Sequence, residues 1–380
     1  MKKRNGNYHS FSNYAGHRSA FHNLFQDYRK VMSVELEREI SCHFKGLQRK
    51  VAAAISQGRG QIKIGKDPMP ISLLKQVAMA MLQSSSRDMV FARTFMIMSW
   101  NLMARAANTV SICYKHLEWR EDALCVYFAH MKNDQRGTRP RDPRHVYANP
   151  MAPEICPILA LGVYWAVYAV DDEDVHLFPG NDEYERFRKV LGRVLKGPQV
   201  AAELERRGTI ADDIGTHSMR KGASTFCSSG STACPPSVAV HLRAGWSIVV
   251  GHRITNDTAE SRSIRGSAEL WEELYRRNRG WSGYGPRREA STSSPGPFGD
   301  PSRLRLPEQV EFVAEFALAS LIYHIDFLRE QLPTDHPLFQ SPFFANAELI
   351  LELQSRVRTT PSESNMQPTG VPPHVTILSE

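Results

Sequence analysis

Residues 214–247 read IGTHSMRKGASTFCSSGSTACPPSVAVHLRAGWS, and the rest of the chain is organised around them. At their centre His217 and Arg220 stand three positions apart, so a helix places both on one face. Thr216 and Ser218 are N-cap candidates before an Ala- and Ser-rich run, and Lys221 follows directly. A helix N-terminus that gathers His, Arg and Lys suits an anion such as phosphate, because its free N–H groups and dipole add to the side-chain charge. Residues 230–236 break this helix. A second short helix over 237–244 carries Arg243 and ends at Gly245 and Trp246. An H-x-x-R pair alone recurs by chance in many helices, so its weight depends on what accompanies it.

The chain has 380 residues, room for one large or two ordinary domains, and its 42% hydrophobic content is enough for a core. A net charge of +7 and a pI near 9.1 suit a polyanionic partner without requiring one. Six cysteines show neither a C-x-x-C pair nor zinc-ligand spacing, and read as reduced thiols of an intracellular protein. The opening MKKRNGNYHSFSNY has no apolar h-region, so no secretory signal is expected. No run approaches eighteen apolar residues, so no membrane span is expected.

Residues 1–30 are polar and aperiodic and read as a mobile arm. Leu36, Ile40, Phe44, Leu47 and Val51 recur at helical steps over 31–56, and 57–70 form a Gly/Pro/Lys linker. Residues 71–83 read as a helix begun by Pro70 and Ser72. Residues 87–109 read as one long helix or a helix pair, with Arg105 near its C-terminal end. The neighbours of Arg105 are Met103, Ala104, Ala106 and Ala107. A charge among such residues points to a buried face that needs an anion. Three strand-like runs follow, VSICYKHLEW, ALCVYFAHMK and HVYANP, and predict a three-stranded antiparallel sheet with turns at 118–122 and 133–143. Lys132 sits at the mouth of the second turn, where Arg136, Arg139, Arg141 and Arg144 crowd together and could track a nucleic-acid backbone. Residues 153–170 predict an apolar core helix and 181–196 an amphipathic one.

The order Arg105, Lys132, His217-x-x-Arg220, Trp246 resembles the tyrosine recombinase (phage integrase-like) family. The wording THSMRKGAST and LRAGWS is most similar to its eukaryotic transposon-borne branch, the crypton and DIRS-like recombinases. The resemblance covers residues 65–255 and extends to 306–380. It implies the DNA breaking–rejoining catalytic fold, mainly helical with one small antiparallel sheet, after a partial helical N-terminal region over 1–65. It also implies work in the nucleus on double-stranded DNA, self-association on that DNA, and chemistry without metal or nucleotide cofactor. In that chemistry Arg105 and Arg220 hold the non-bridging phosphate oxygens, since a guanidinium fork matches two of them. Lys132 protonates the leaving 5′ oxygen, His217 assists proton transfer or completes the clamp, and Trp246 packs and donates through its indole N–H. Lys221 and Arg243 join the basic turn as DNA contacts. The family often carries an acidic residue three positions after the first arginine; here that residue is Asn108.

One member of the set is out of place. The family expects its nucleophilic tyrosine about nine residues past the tryptophan, and that position holds Thr255. Tyr275 is the nearest substitute, with Tyr284 beyond it. Residues 256–305 are rich in Arg, Ser and Gly and lack Val, Met and Lys, before helical text returns at Gln309. Two accounts fit: a divergent linker that still supplies a distant tyrosine such as Tyr275, or a reading-frame or gene-model scar across roughly 249–305 that replaced the tyrosine segment. The expected result is a DNA-binding protein that makes no covalent adduct. An active recombinase using Tyr275 and a helical interaction protein without DNA are the alternatives.

Overall fold

The computed structural model describes residues 8–9, 11–58, 65–120, 123–128, 143–168, 175–229, 240, 243, 308–341 and 344–357. The turn at 133–143 (apart from Pro143), the break at 230–236 and the stretch 256–305 lie outside them. Backbone proximity divides the chain into Met1–Gly65 and Lys66–Glu380.

The first unit holds α1 (Phe11–Asp27) and α2 (Val34–Ser56). The arm expected over 1–30 is thus helical for most of its length. Its aromatic residues explain the difference. Phe21 and Phe25, one helical turn apart, meet edge to face at 5.3 Å. Arg18 lies over the Phe44 ring of α2 at 5.8 Å and donates to Ser41 Oγ at 3.3 Å. Ser33 caps α2 by accepting from Leu36 N–H at 3.2 Å.

The second unit is mainly helical with one three-stranded antiparallel sheet, as the sequence predicts. Its helices are α3 (Ile71–Leu82), α4 (Arg87–Asn101), α5 (Ala106–Val110), α6 (Pro157–Val167), α7 (Glu183–Leu195), α8 (Pro198–Arg206) and α9 (Thr216–Ser229), then α10 (Glu308–Tyr323), α11 (Ile325–Gln331) and α12 (Ala347–Arg356). Strands β1 (Leu117–Arg120), β2 (Ala123–Val126) and β3 (Arg144–Tyr147) pair in the order β1-β2-β3, with Trp119 opposite Leu124 and Leu124 opposite Val146.

Helix α4 is the axis of this unit. Residues 90–100 are buried on every side, the signature of a helix inside the core rather than on it. It packs against α3, α6, α7 and α9. Phe95 meets Phe178 at 5.3 Å and Phe187 at 4.6 Å, closing an aromatic cluster between α4 and α7. Arg93 lies inside this core at 1% exposure and donates to the carbonyls of Pro153 (3.1 Å) and Glu154 (2.9 Å). Burial pushes its guanidinium down to about 10. Helix α10 lies on α6 and on β1, where Phe316 stacks on Trp119 at 3.9 Å with the rings 6° apart. Val240 and Arg243, the described residues of the predicted 237–244 helix, are both helical.

Candidate functional site

Arg105 is placed by the way α4 ends. The predicted helix over 87–109 stops at Asn101, and a short α5 begins again at Ala106. Between them Met103 N–H donates to the Trp100 carbonyl and Ala104 N–H to the Ser99 carbonyl, both at 3.0 Å. This is the paired bonding of a Schellman cap, and Met103 takes the left-handed position with φ 46°. The chain turns sharply, so Arg105 is not the end of a long helix. It is the extended N-cap residue of α5, half-buried, and its carbonyl accepts from Asn108 N–H at 2.8 Å.

Arg220 is placed by α9. The helix begins at Thr216, and Ser218 caps it from within, accepting from Gly215 N–H at 2.9 Å. His217 is exposed at this N-terminus, whereas Arg220, one turn on, is 7% exposed. Helix α9 comes unusually close to its neighbours. A Cβ on Gly222 would collide with the Met69 carbonyl and stand 2.6 Å from the Trp100 ring. The segment entering α3 is tied along the helix: Met69 N–H donates to the Ser218 carbonyl at 2.9 Å, and Lys221 Nζ donates to the Lys66 carbonyl at 2.6 Å. Lys221 therefore spends a donor on the fold itself. Ser224 Oγ donates to the Arg220 carbonyl at 2.9 Å and lies 3.9 Å from Met103 Sδ, joining α9 to the turn that carries Arg105.

Arg105 and Arg220 thus come together from distant parts of the sequence. Burial pushes the Arg220 guanidinium down to about 10, and the charge of Arg105 adds to the effect. Two more arginines share the place. Arg144 does not lie out on the basic turn. It opens β3, is 8% exposed, donates through Nη1 to the Leu102 carbonyl, and sits 4.9 Å over the Phe128 ring. Strand alternation accounts for this: Arg144 and Val146 point to the same side of β3, and Val146 is core. Arg243 donates through Nη2 to the carbonyls of Asn101 (3.1 Å) and His145 (2.7 Å). The Arg144 guanidinium is held down to about 9, first by burial and then by Arg243, Arg220 and Arg105. Among the described residues, every charge acting on it is positive. Lys132, Arg136, Arg139, Arg141, Trp246 and Tyr275 lie outside the described residues.

A half-buried to buried group of guanidinium forks defines an anion site; its fixed donors and partial exclusion of water favour a doubly oxygenated anion over a small one. No protein-family model matches the chain, and no curated protein matches it. Among solved structures it is similar to FLP recombinase in a Holliday-junction complex, at 11% identity over 78% of this chain and 72% of that chain, with a TM-score of 0.41. It is also similar to a Flpe–Holliday-junction complex, at 11% identity over 86% and 72% with a TM-score of 0.36. A further likeness is to XerH site-specific recombinase bound to its difH substrate before cleavage, at 13% identity over 55% and 53% with a TM-score of 0.32.

Proposed function

We propose that the chain is a DNA-binding protein of the tyrosine recombinase type, of the crypton and DIRS-like branch, acting in the nucleus. In this reading Arg105 and Arg220 form its phosphate clamp, and the sequence puts Thr255 where the nucleophilic tyrosine is expected. The observation that carries this reading is the meeting of Arg105 with Arg220, each brought in by its own turn or helix, where Ser224 joins the Arg220 carbonyl to Met103 of the turn and the charge of Arg105 acts on Arg220. A phosphodiester seated there receives two forks on its non-bridging oxygens, which is how charge is held as a phosphoryl centre reacts. His217, exposed on the same helix, is free to approach a ligand from solvent. Lys132 would supply the proton for the leaving oxygen and Trp246 the packing beside it. Thr255 would stand where the phenol is needed, and its side chain is too short to reach in line with a scissile bond.

Duplex binding followed by fluorescence anisotropy tests the first half of this reading. Affinity should fall by more than about tenfold between low and moderate salt, because each neutralised phosphate releases counterions. Arg105→Ala and Arg220→Ala should each weaken binding by roughly tenfold. Incubation with a nicked suicide substrate and denaturing electrophoresis test the second half. No protein–DNA adduct is expected. An adduct that disappears in Tyr275→Phe would make Tyr275 the nucleophile and the protein an active recombinase.

A further inference from the structure

We propose that Arg144 and Arg243 act inside the clamp rather than on a DNA-tracking turn: they hold the last carbonyls of α4 and, with Arg105 and Arg220, form a four-guanidinium cluster that binds a free inorganic phosphate dianion. The inference rests on the clamp reading above and extends it to residues outside the family's set.

The geometry is specific. Arg144 donates to the Leu102 carbonyl, and Arg243 donates to the adjoining Asn101 carbonyl and to His145, the residue after Arg144. Two cations therefore occupy the C-terminal end of α4, where the unpaired carbonyls and the negative end of the helix dipole favour positive charge. The same carbonyls begin the turn through Met103 that delivers Arg105. Arg144 and Arg243 thus position Arg105 through the backbone. They also charge the site. Arg144 is 8% exposed, and its partners are a neutral carbonyl and the face of Phe128. Burying a cation without a carboxylate opposes folding. The position is accounted for when an anion completes it, and a tetrahedral dianion is the compact group that accepts from several forks at once.

A residue that only braces the turn, and one whose buried charge outweighs its bracing bond until an anion arrives, predict opposite outcomes for Arg144→Met, which keeps the bulk and removes the charge. As a charge supplier, Arg144 costs the unliganded fold more than its one carbonyl bond returns. The Met protein, full length and in phosphate-free buffer, should then melt at the wild-type temperature or higher. Millimolar inorganic phosphate should raise the wild-type Tm by about 2 °C or more, by mass action on the folded state, and should leave the Met protein's Tm unmoved. Arg144→Lys, which keeps the charge, should retain most of the phosphate-dependent rise. A Met protein that melts several degrees lower without phosphate overturns the proposal. So does a wild-type Tm indifferent to phosphate, or a phosphate response that survives in the Met protein. Duplex binding is measured alongside: phosphate stabilisation without DNA affinity leaves the cluster standing and removes the recombinase-type reading.

Discussion

Met103 carries the backbone conformation that glycine usually takes at a helix end, and it does so two residues before Arg105. Left-handed backbone costs a non-glycine residue about 1–2 kcal/mol. The Met103 side chain is 3% exposed, and truncating a buried methionine costs about 2–5 kcal/mol. The side chain wins. Met103→Gly should therefore destabilise the protein by about 1–3 kcal/mol although it relieves the backbone, and a urea midpoint shifted upward would contradict this. The reason for a methionine here was not legible in the sequence, because a Schellman cap is normally announced by Gly or Asn. For that reason the 87–109 run read as helix through Arg105. Burial around Arg105 was legible from its Ala and Met neighbours. The burial of Arg144 was hidden by the arginines before it, which read as a solvated turn, although Val146 two positions on marked the inward face of the strand.

At the scale of elements, periodicity and caps located α3, α6, α7 and α9 within a few residues. The three β runs paired antiparallel as their strand-like composition predicts, although the first run becomes strand only from Leu117, so that β1 takes up most of the turn expected at 118–122. Helices α1 and α8 were missed. Helix α1 has scattered aromatic residues rather than an apolar stripe, and α8 follows Pro198 so closely after α7 that the two share one polar-looking stretch. The seating of α9 depends on Gly222, and the obstacle there is the Met69 backbone together with the Trp100 ring, neither of which yields as a flexible side chain would. Gly222→Ala should cost about 1–3 kcal/mol by overpacking. Because the helix must back away from α4, Arg220 should also leave Arg105, and duplex affinity should fall with the Tm. A variant that melts lower but binds as tightly as wild type would show that the clamp does not depend on this contact.

Across the whole second unit, the last helices are bound into the same core as Arg93. His324 and His336 are both buried, and each is held down to about 4, mainly by burial and further by the charge of Arg93. His336 accepts from Leu338 N–H through Nδ1 at 3.1 Å, which leaves its Nε2 as a buried donor without a partner among the described residues. An unfolded histidine titrates near 6.5, so the unfolded chain takes up protons that the folded one refuses. Stability from these groups is complete above pH 6.5 and is lost as pH falls from there towards 4. Tm should drop by several degrees between about pH 7 and pH 5, and a flat profile over that window would remove the two histidines from the account.

The Phe316–Trp119 stack fixes α10 to the sheet through side chains. Helix α10 is held on α6 and β1, and Arg243 is held by carbonyls of α4 and β3, so the described residues on either side of 244–307 are each anchored by their own contacts. The cohesion of α10 with α6 and β1 therefore comes from packed side chains and not from the covalent path that joins them, and a change of sequence within 244–307 leaves those particular contacts in place.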